Sequence, residues 1–301
     1  MKSVPLAPPA GSTATRAWQR ASDFVALTKP RLNALVVVTS AAGYYLGTSG
    51  TPDLVSMAEA VVGTTLVAGG AAALNQVYER DTDRLMRRTR MRPLPDGRVS
   101  PAEARFYGVL LSASGLFVLA VQTNAVATLL AFTTLLSYLL VYTPMKRRTP
   151  AATLVGAVPG ALPPLIGWTA SHGAVSSGGA SLFAIVFLWQ IPHFMAIAWL
   201  YRDDYARAQF PMLPVIEPDG RRTGRQAVAY SVALLVASAA PTVTGVSRVG
   251  YLAVALAGGA LMVWLSIAFA STRTDAAARR LFIGSIVYLP VLWTAMILDR
   301  A

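Results

Sequence analysis

The sequence predicts an all-α fold, a polytopic membrane bundle of about nine transmembrane helices. Three observations predict it. The chain is 54% hydrophobic and only 13% charged, against about a quarter charged in soluble domains. Apolar runs recur along it, each near the roughly 20 residues that a spanning helix needs. The cations alternate: 24 of the 26 Lys and Arg fall in every second connection, the bias that marks cytoplasmic loops.

Residues 1–23 read as a disordered cytoplasmic tail. The first twenty are rich in Pro, Ala, Gly, Ser and Thr, and no apolar core of a signal peptide follows Lys2. Residues 24–301 form the transmembrane domain. Its runs cover about 32–50, 54–76, 106–122, 124–143, 151–170, 179–200, 226–244, 249–270 and 281–297. The break at Gln122–Asn124 is the weakest of the divisions, because it holds neither Gly nor Pro. GAVPGALPPLIG (156–167) predicts a kinked helix lining a cavity, since membrane helices tolerate such residues.

The basic connections are the N-terminus through Arg31, then 77–105, 144–150, 201–225 and 271–280. Only Arg248 and Arg300 lie on the opposite side. The expected orientation in the cell (inner or plasma) membrane is therefore N-terminus in the cytoplasm and C-terminus outside. This pattern accounts for the net charge of +12 with lipid headgroups as the acidic partner and no nucleic acid. Cysteine is absent and His172 and His193 are the only histidines, which excludes disulfides, thiol catalysis and a His-rich metal site. The basic loops after the second and sixth runs each contain PDGR, at 95–98 and 218–221, a turn signal.

Charge concentrates in LNQVYERDTDRLMRRTRMRPLPDG (74–97). If the second run stays helical past Asn75, then Asn75, Glu79 and Asp83 share one face, about 6 Å apart per step. These hard oxygen donors suit Mg²⁺. Arg80, Arg84, Arg87, Arg88, Arg90 and Arg92 offer forked donors to phosphate oxygens. A salt-bridged, solvated helix end fits the composition about as well, with Arg84 three residues after Asp81.

A second acidic pair, Asp203 and Asp204, follows the sixth run on the same side. Two carboxylate sites at one interface suit a metal-bound diphosphate. Arg202 stands beside the pair as a further phosphate donor. His193 precedes Asp204 by eleven residues, about 16 Å deeper on nearly the same face. It reads either as a hydrogen-bonding partner of a neighbouring helix or as a group in a substrate cavity. In VYTPMKRRTP (141–150), Lys146, Arg147 and Arg148 serve topology or complete a cationic wall. Tyr142 stands about a turn inside as a hydrogen-bond donor.

These residues resemble a known family. Asn75, Glu79 and Asp83 match the first motif of the UbiA superfamily of intramembrane prenyltransferases, with Glu where Asp is commoner. MRRTRMRPL (86–94), YTPMKRRTP with GAVPGALPPLIGW (156–168), and PHF (192–194) with RDDYARAQFPMLPV (202–215) are similar to the signatures of its haem-modifying branch. Asp203 and Asp204 are adjacent, unlike the spaced acidic pair of quinone-type relatives. Ala208-Gln209 replaces the usual Ala-Gly.

The resemblance covers about residues 24–297. It implies a helical bundle with a central cavity open to lipid, capped by the basic loops. It further implies a farnesyl transfer from farnesyl diphosphate to a vinyl group of haem b, giving haem O for a terminal oxidase. Mg²⁺ would be held by Glu79, Asp83, Asp203 and Asp204, with Asn75 beside them. Arg80, Arg84, Arg87, Arg88, Arg92, Tyr142, Lys146, Arg147 and Arg202 would bind substrate, and His193 would sit in the cavity near haem. A downstream haem-modifying enzyme is a candidate partner. A prenyltransferase acting on a quinone precursor or another aromatic or lipid acceptor is the neighbouring alternative. An ion-coupled transporter fits less well, because its polar groups should cluster near the bilayer midplane. An assembly factor without chemistry is a third class.

Overall fold

A computed structural model describes residues 13–301; the part of the expected tail before Thr13 lies outside them. The described chain is helical throughout: α1 (Thr13–Leu27), α2 (Pro30–Gly47), α3 (Leu54–Leu85), α4 (Pro101–Gln122), α5 (Ala125–Leu136), a π-helical turn (Ser137–Tyr142), α6 (Thr143–Met145), α7 (Ala152–His172), α8 (Ser177–Leu200), α9 (Arg202–Arg207), α10 (Leu213–Ile216), α11 (Arg221–Ala237), α12 (Ala240–Val243), α13 (Val249–Thr272) and α14 (Asp275–Leu298). Helix α1 takes in residues on both sides of position 23. It is tied down by the Arg20–Glu103 ion pair and by Arg98 to Asp23 at 3.0 Å.

Seven helical segments are long and apolar enough to cross a membrane: α3, α4, α5 through α6, α8, α11 through α12, α13 and α14. The protein is a multi-pass membrane protein. Helices α2 and α7 bring the long rods among the described residues to the nine expected. Helix α7 is less apolar because Pro159, Pro163 and Pro164 lie inside it, yet it continues from Ala152 to His172 with most of its second half buried.

Local chemistry sets the ends. Asp53 accepts from the Val55 N–H at 2.9 Å to start α3. Ser100 and Glu103 form a reciprocal capping box on α4. The doubtful break is made by an Asn cap: Asn124 accepts from the Ala127 N–H at 2.9 Å, satisfying an orphan donor that Gly or Pro would leave open. Both PDGR turns carry glycine in the left-handed region, Gly97 at φ +83° and Gly220 at φ +69°.

Helices α2, α3, α4, α5 and α7 pack as one half of the bundle, and α8, α11, α13 and α14 as the other. The first half buries Val67, Leu119, Leu135 and Ile166 together. The second builds a larger core that includes Trp189, Tyr251, Phe269 and Trp293. Lipid supplies no hydrophobic drive between helices, so contact depends on close approach of small residues. A Cβ on Gly167 of α7 would lie 1.9 Å from the Ser40 carbonyl oxygen of α2. One on Gly43 of α2 would lie 2.0 Å from that of Pro164. These are backbone atoms that cannot swing away.

Gly167→Val should therefore separate α2 from α7 and cost about 1–3 kcal/mol or more, the range for overpacking. Thermal unfolding of the purified protein in detergent checks this, and an unchanged midpoint would refute the seam.

Candidate active site

Helix α3 has 32 residues, about 48 Å at 1.5 Å per residue. That exceeds a hydrocarbon core of about 30 Å, so its last turns carry Asn75, Glu79 and Asp83 beyond the apolar layer. The face is the one expected from the four-residue spacing. All three side chains are buried, at 1%, 3% and 1% exposure, against other parts of the chain rather than against water.

Each is met by a partner from a different segment. Lys146, just after α6, donates to Glu79 Oε1 at 3.0 Å and Oε2 at 3.3 Å. Arg92 donates from Nη1 to Asp83 Oδ2 at 2.9 Å. Asp83 Oδ1 is buried with no hydrogen-bond partner. Asn75 Oδ1 accepts from Lys29 Nζ at 3.1 Å and Tyr138 OH at 3.3 Å. Asn75 Nδ2 donates to Thr143 Oγ1 at 3.1 Å. With both carbonyl lone pairs engaged, Asn75 is a joint between α2, α3 and the end of α5.

The π turn makes that joint possible. Pro144 has no N–H and its ring crowds the carbonyl four residues before it. The ladder widens locally, and the Thr143 N–H bonds to the Tyr138 carbonyl instead. Tyr138 and Tyr142 stack with centroids 5.3 Å apart. Gly156 of α7 makes room, since a Cβ there would meet the Tyr142 ring at 2.5 Å.

The second acidic segment closes over the first. Asp204 Oδ1 accepts from the Arg87 N–H at 3.4 Å and pairs with Arg207. Despite the cost of its burial, Arg207 and that N–H hold the Asp204 carboxyl below the usual carboxylate range. Met86, Tyr205, Ala208 and Phe210 form a small apolar cluster that joins the two segments. Arg88 donates to Tyr205 OH at 3.4 Å and lies 5.0 Å from the Tyr201 ring centroid. Lys146 Nζ lies 4.7 Å from the Phe210 ring centroid, so one cation touches both segments.

Other expected site residues are placed differently. Asp203 is exposed on α9. Arg202 turns to Asp275 at 2.8 Å and to the Trp199 ring. Arg84 braces the following loop through the Pro95 carbonyl at 3.0 Å, and Arg80 Nε is buried without a partner. Arg147 lies beside Tyr78 and Thr82 on α3.

His193 is partly buried between Trp189 and Phe282, each 5.0 Å away by ring centroids. Its Nδ1 is 2.7 Å from Ser285 Oγ, and that hydroxyl donates to the Phe282 carbonyl at 2.6 Å. This hydrogen bond fixes the orientation of the ring.

Lys29, Tyr138, Thr143 and Arg207 escaped the sequence reading of the site. Lys29 precedes Pro30 at the mouth of the first span and adopts φ 52°. Burial lowers its pKa to about 8, with the Arg92 charge adding to the effect. The signal that was available is Tyr138, four residues before Tyr142 on a helix leading to the site.

Glu79, Asp83 and Asp204 fit a hard divalent cation, and the orphaned Asp83 Oδ1 is the open donor among them. Among the described residues no group of three or more His, Asp or Glu side chains is already assembled around one point. Lys146, Arg92 and Arg207 hold the carboxylates instead. The arrangement suits an oxyanion with several charges: buried acids to carry a cation, ringed by donors on three connections.

Known proteins share this chain's sequence and fold. Residues 36–290 match the model of the UbiA prenyltransferase family. A protein of Solibacter usitatus named protoheme IX farnesyltransferase is 44% identical over 287 residues, covering 92% of this chain and 98% of that one. One of the same name from Opitutus terrae is also 44% identical, covering 96% and 98%. Among solved structures, a digeranylgeranylglyceryl phosphate synthase superposes with a TM-score of 0.79 at 16% identity, covering 93% of this chain and 98% of that one. A UbiA homologue from Archaeoglobus fulgidus bound to GPP and Mg²⁺ gives 0.63 at 17%, covering 91% and 99%. The first pair shares sequence along nearly the whole chain and the second pair shares the fold; the chain belongs to the UbiA prenyltransferase family.

Proposed function

We propose that this protein transfers a farnesyl group from farnesyl diphosphate to a vinyl group of haem b, giving haem O. The observation that carries the acceptor is the 44% identity, nearly end to end, with relatives named protoheme IX farnesyltransferase. The donor site is supported by the buried Glu79 and Asp83 among cations of three connections.

Lys29, Arg88, Arg92, Lys146 and Arg147 bind the diphosphate oxygens. Glu79, Asp83 and Asp204, with Asp203 from the exposed side, would hold Mg²⁺. Bound there, Mg²⁺ would neutralise charge that develops on the leaving diphosphate. Asn75 keeps Lys29 in place, and Tyr138 and Tyr142 form the aromatic wall one turn further in. As the allylic C–O bond breaks, the cations take up the growing negative charge. The vinyl π electrons form the new C–C bond to farnesyl C1, and water then adds to the carbon beside the porphyrin ring and releases a proton. The apolar segment cluster around Phe210 keeps water from the farnesyl cation before that step. His193 would ligate or orient the haem iron.

A membrane assay with haem b, farnesyl diphosphate and Mg²⁺, read by mass spectrometry, should yield haem O. Product with an aromatic acid and none with haem would overturn the acceptor. In the same assay Asp83→Asn and Glu79→Gln should each lower turnover roughly a hundredfold or more, the scale of losing one electrostatic stabiliser. Wild-type rates in both would remove the metal assignment.

Lys29 must be charged to bind phosphate. kcat/KM for farnesyl diphosphate reports the free enzyme, so it should fall as pH rises through about 8. Lys29→Arg should move that limb to higher pH, because guanidinium stays protonated. A limb left unmoved would rule Lys29 out.

We further place the N-terminus in the cytoplasm, the C-terminus outside, and the protein in the cell membrane, with a downstream haem-modifying enzyme as partner. The chain has no cysteine. Met91→Cys and Val175→Cys, at positions 64% and 54% exposed, should label only from the cytoplasm and only from outside, respectively. Reversed labelling would invert the topology.

A further inference from the structure

A second charged concavity lies on the same side of the bundle, away from the carboxylates. Its volume is about 310 Å³, and Arg221, Arg225, Ala270 and Arg273 line it. Arg221 and Arg225 stand one turn apart on the first part of α11, hence on one face. Arg273 caps the end of α13 at φ 50° and donates to the Ala270 carbonyl at 3.1 Å. The two helices touch directly beneath, where a Cβ on Gly224 would lie 2.7 Å from Ala270 Cα. That absent side chain lets cations from both helices converge on one space.

No carboxylate lines the concavity. Asp219 reaches only Arg221, at 3.4 Å between two largely exposed side chains. The other nearby acids are engaged elsewhere, Glu217 by Arg222 and Asp275 by Arg202. Arg225 makes no ion pair or hydrogen bond among the described residues. Topology alone asks for cations on this side of the membrane. It does not ask three of them to share one concavity, where like charges repel. Helices α11 and α13 both cross the membrane, so their ends sit at the level of lipid headgroups.

We propose that this concavity is a binding site for a phosphate group, either the headgroup of an anionic phospholipid or free phosphate. Forked guanidinium donors from two helices grip its oxygens. The bound anion cancels the repulsion among the three cations and clips α11 to α13.

The full chain, purified in detergent, is compared with its Arg225→Gln/Arg273→Gln variant, and farnesyl transfer serves as the control for folding. Native mass spectrometry with mixed phosphatidylglycerol and phosphatidylcholine reads lipid retention. Thermal unfolding in millimolar inorganic phosphate reads the free anion. Preferential retention of phosphatidylglycerol by the wild type, lowered roughly thirtyfold in the variant, would establish the lipid, in keeping with about 1 kcal/mol for each of two cations near a headgroup. A phosphate-dependent rise in unfolding midpoint that only the wild type shows, without lipid preference, would establish free phosphate. Equal behaviour of the two proteins in both measurements overturns the site, as does a wild type that responds to neither. If the double variant fails to fold, Arg225→Gln alone replaces an exposed, unpaired side chain and carries the same comparison.

Discussion

Glu79 and Asp83 are buried carboxylates at the end of one long helix, and each is held by a cation from elsewhere in the chain. Taking an ion out of water costs several kcal/mol unless a partner and further hydrogen bonds replace the water. Lys146 and Arg92 are those partners. The rest of the cap follows from this need. The loop after α3 must fold back to bring Arg92 to Asp83, nine residues earlier. The end of α5 must reach across to bring Lys146 to Glu79. Once Lys146 is in place, Phe210 packs over it, and the segment after α8 closes the third side.

The same compensation fits the proposed binding of a diphosphate. The cations that neutralise the acids in the free protein are the donors that a diphosphate needs. If a diphosphate and a metal bind there as proposed, each charge would exchange one partner for another. None would be left buried and alone, which is the expensive state. Asn75 does not join this exchange. Its three polar contacts hold Lys29, Tyr138 and Thr143 in register.

Much of this was legible in residue order, because the relevant signals are local. Apolar length marks the spans, and spacing by four puts Asn75, Glu79 and Asp83 on one face. What escaped depends on the chain meeting itself. The apolar pattern left open whether the second run stays helical past Asn75; α3 continues to Leu85 because its polar last turns are sheltered by loops whose position no window of sequence contains. Asp203 and Asp204 are neighbours, and on a helix neighbours point about 100° apart; only Asp204 turns inward. Arg202 looks like another phosphate donor until α14 brings Asp275 beside it. Lys29 is 46 residues from Asn75, its hydrogen-bond partner, and only the packing of α2 against α3 joins them.

The π turn at Ser137–Tyr142 has a further consequence for the helix that contains it. Ala127, Ala131 and Leu135 form a buried stripe at steps of four, which sets how α5 lies against the bundle. Past the turn, one additional residue has been accommodated, a phase shift of about 100°. The helix thus carries two independent angular frames, one answering to its packing neighbours and one to the chemistry at its tip. Residues below the turn are free to vary with the needs of packing without re-aiming Tyr142 or Thr143. The turn works as a universal joint within an otherwise rigid rod.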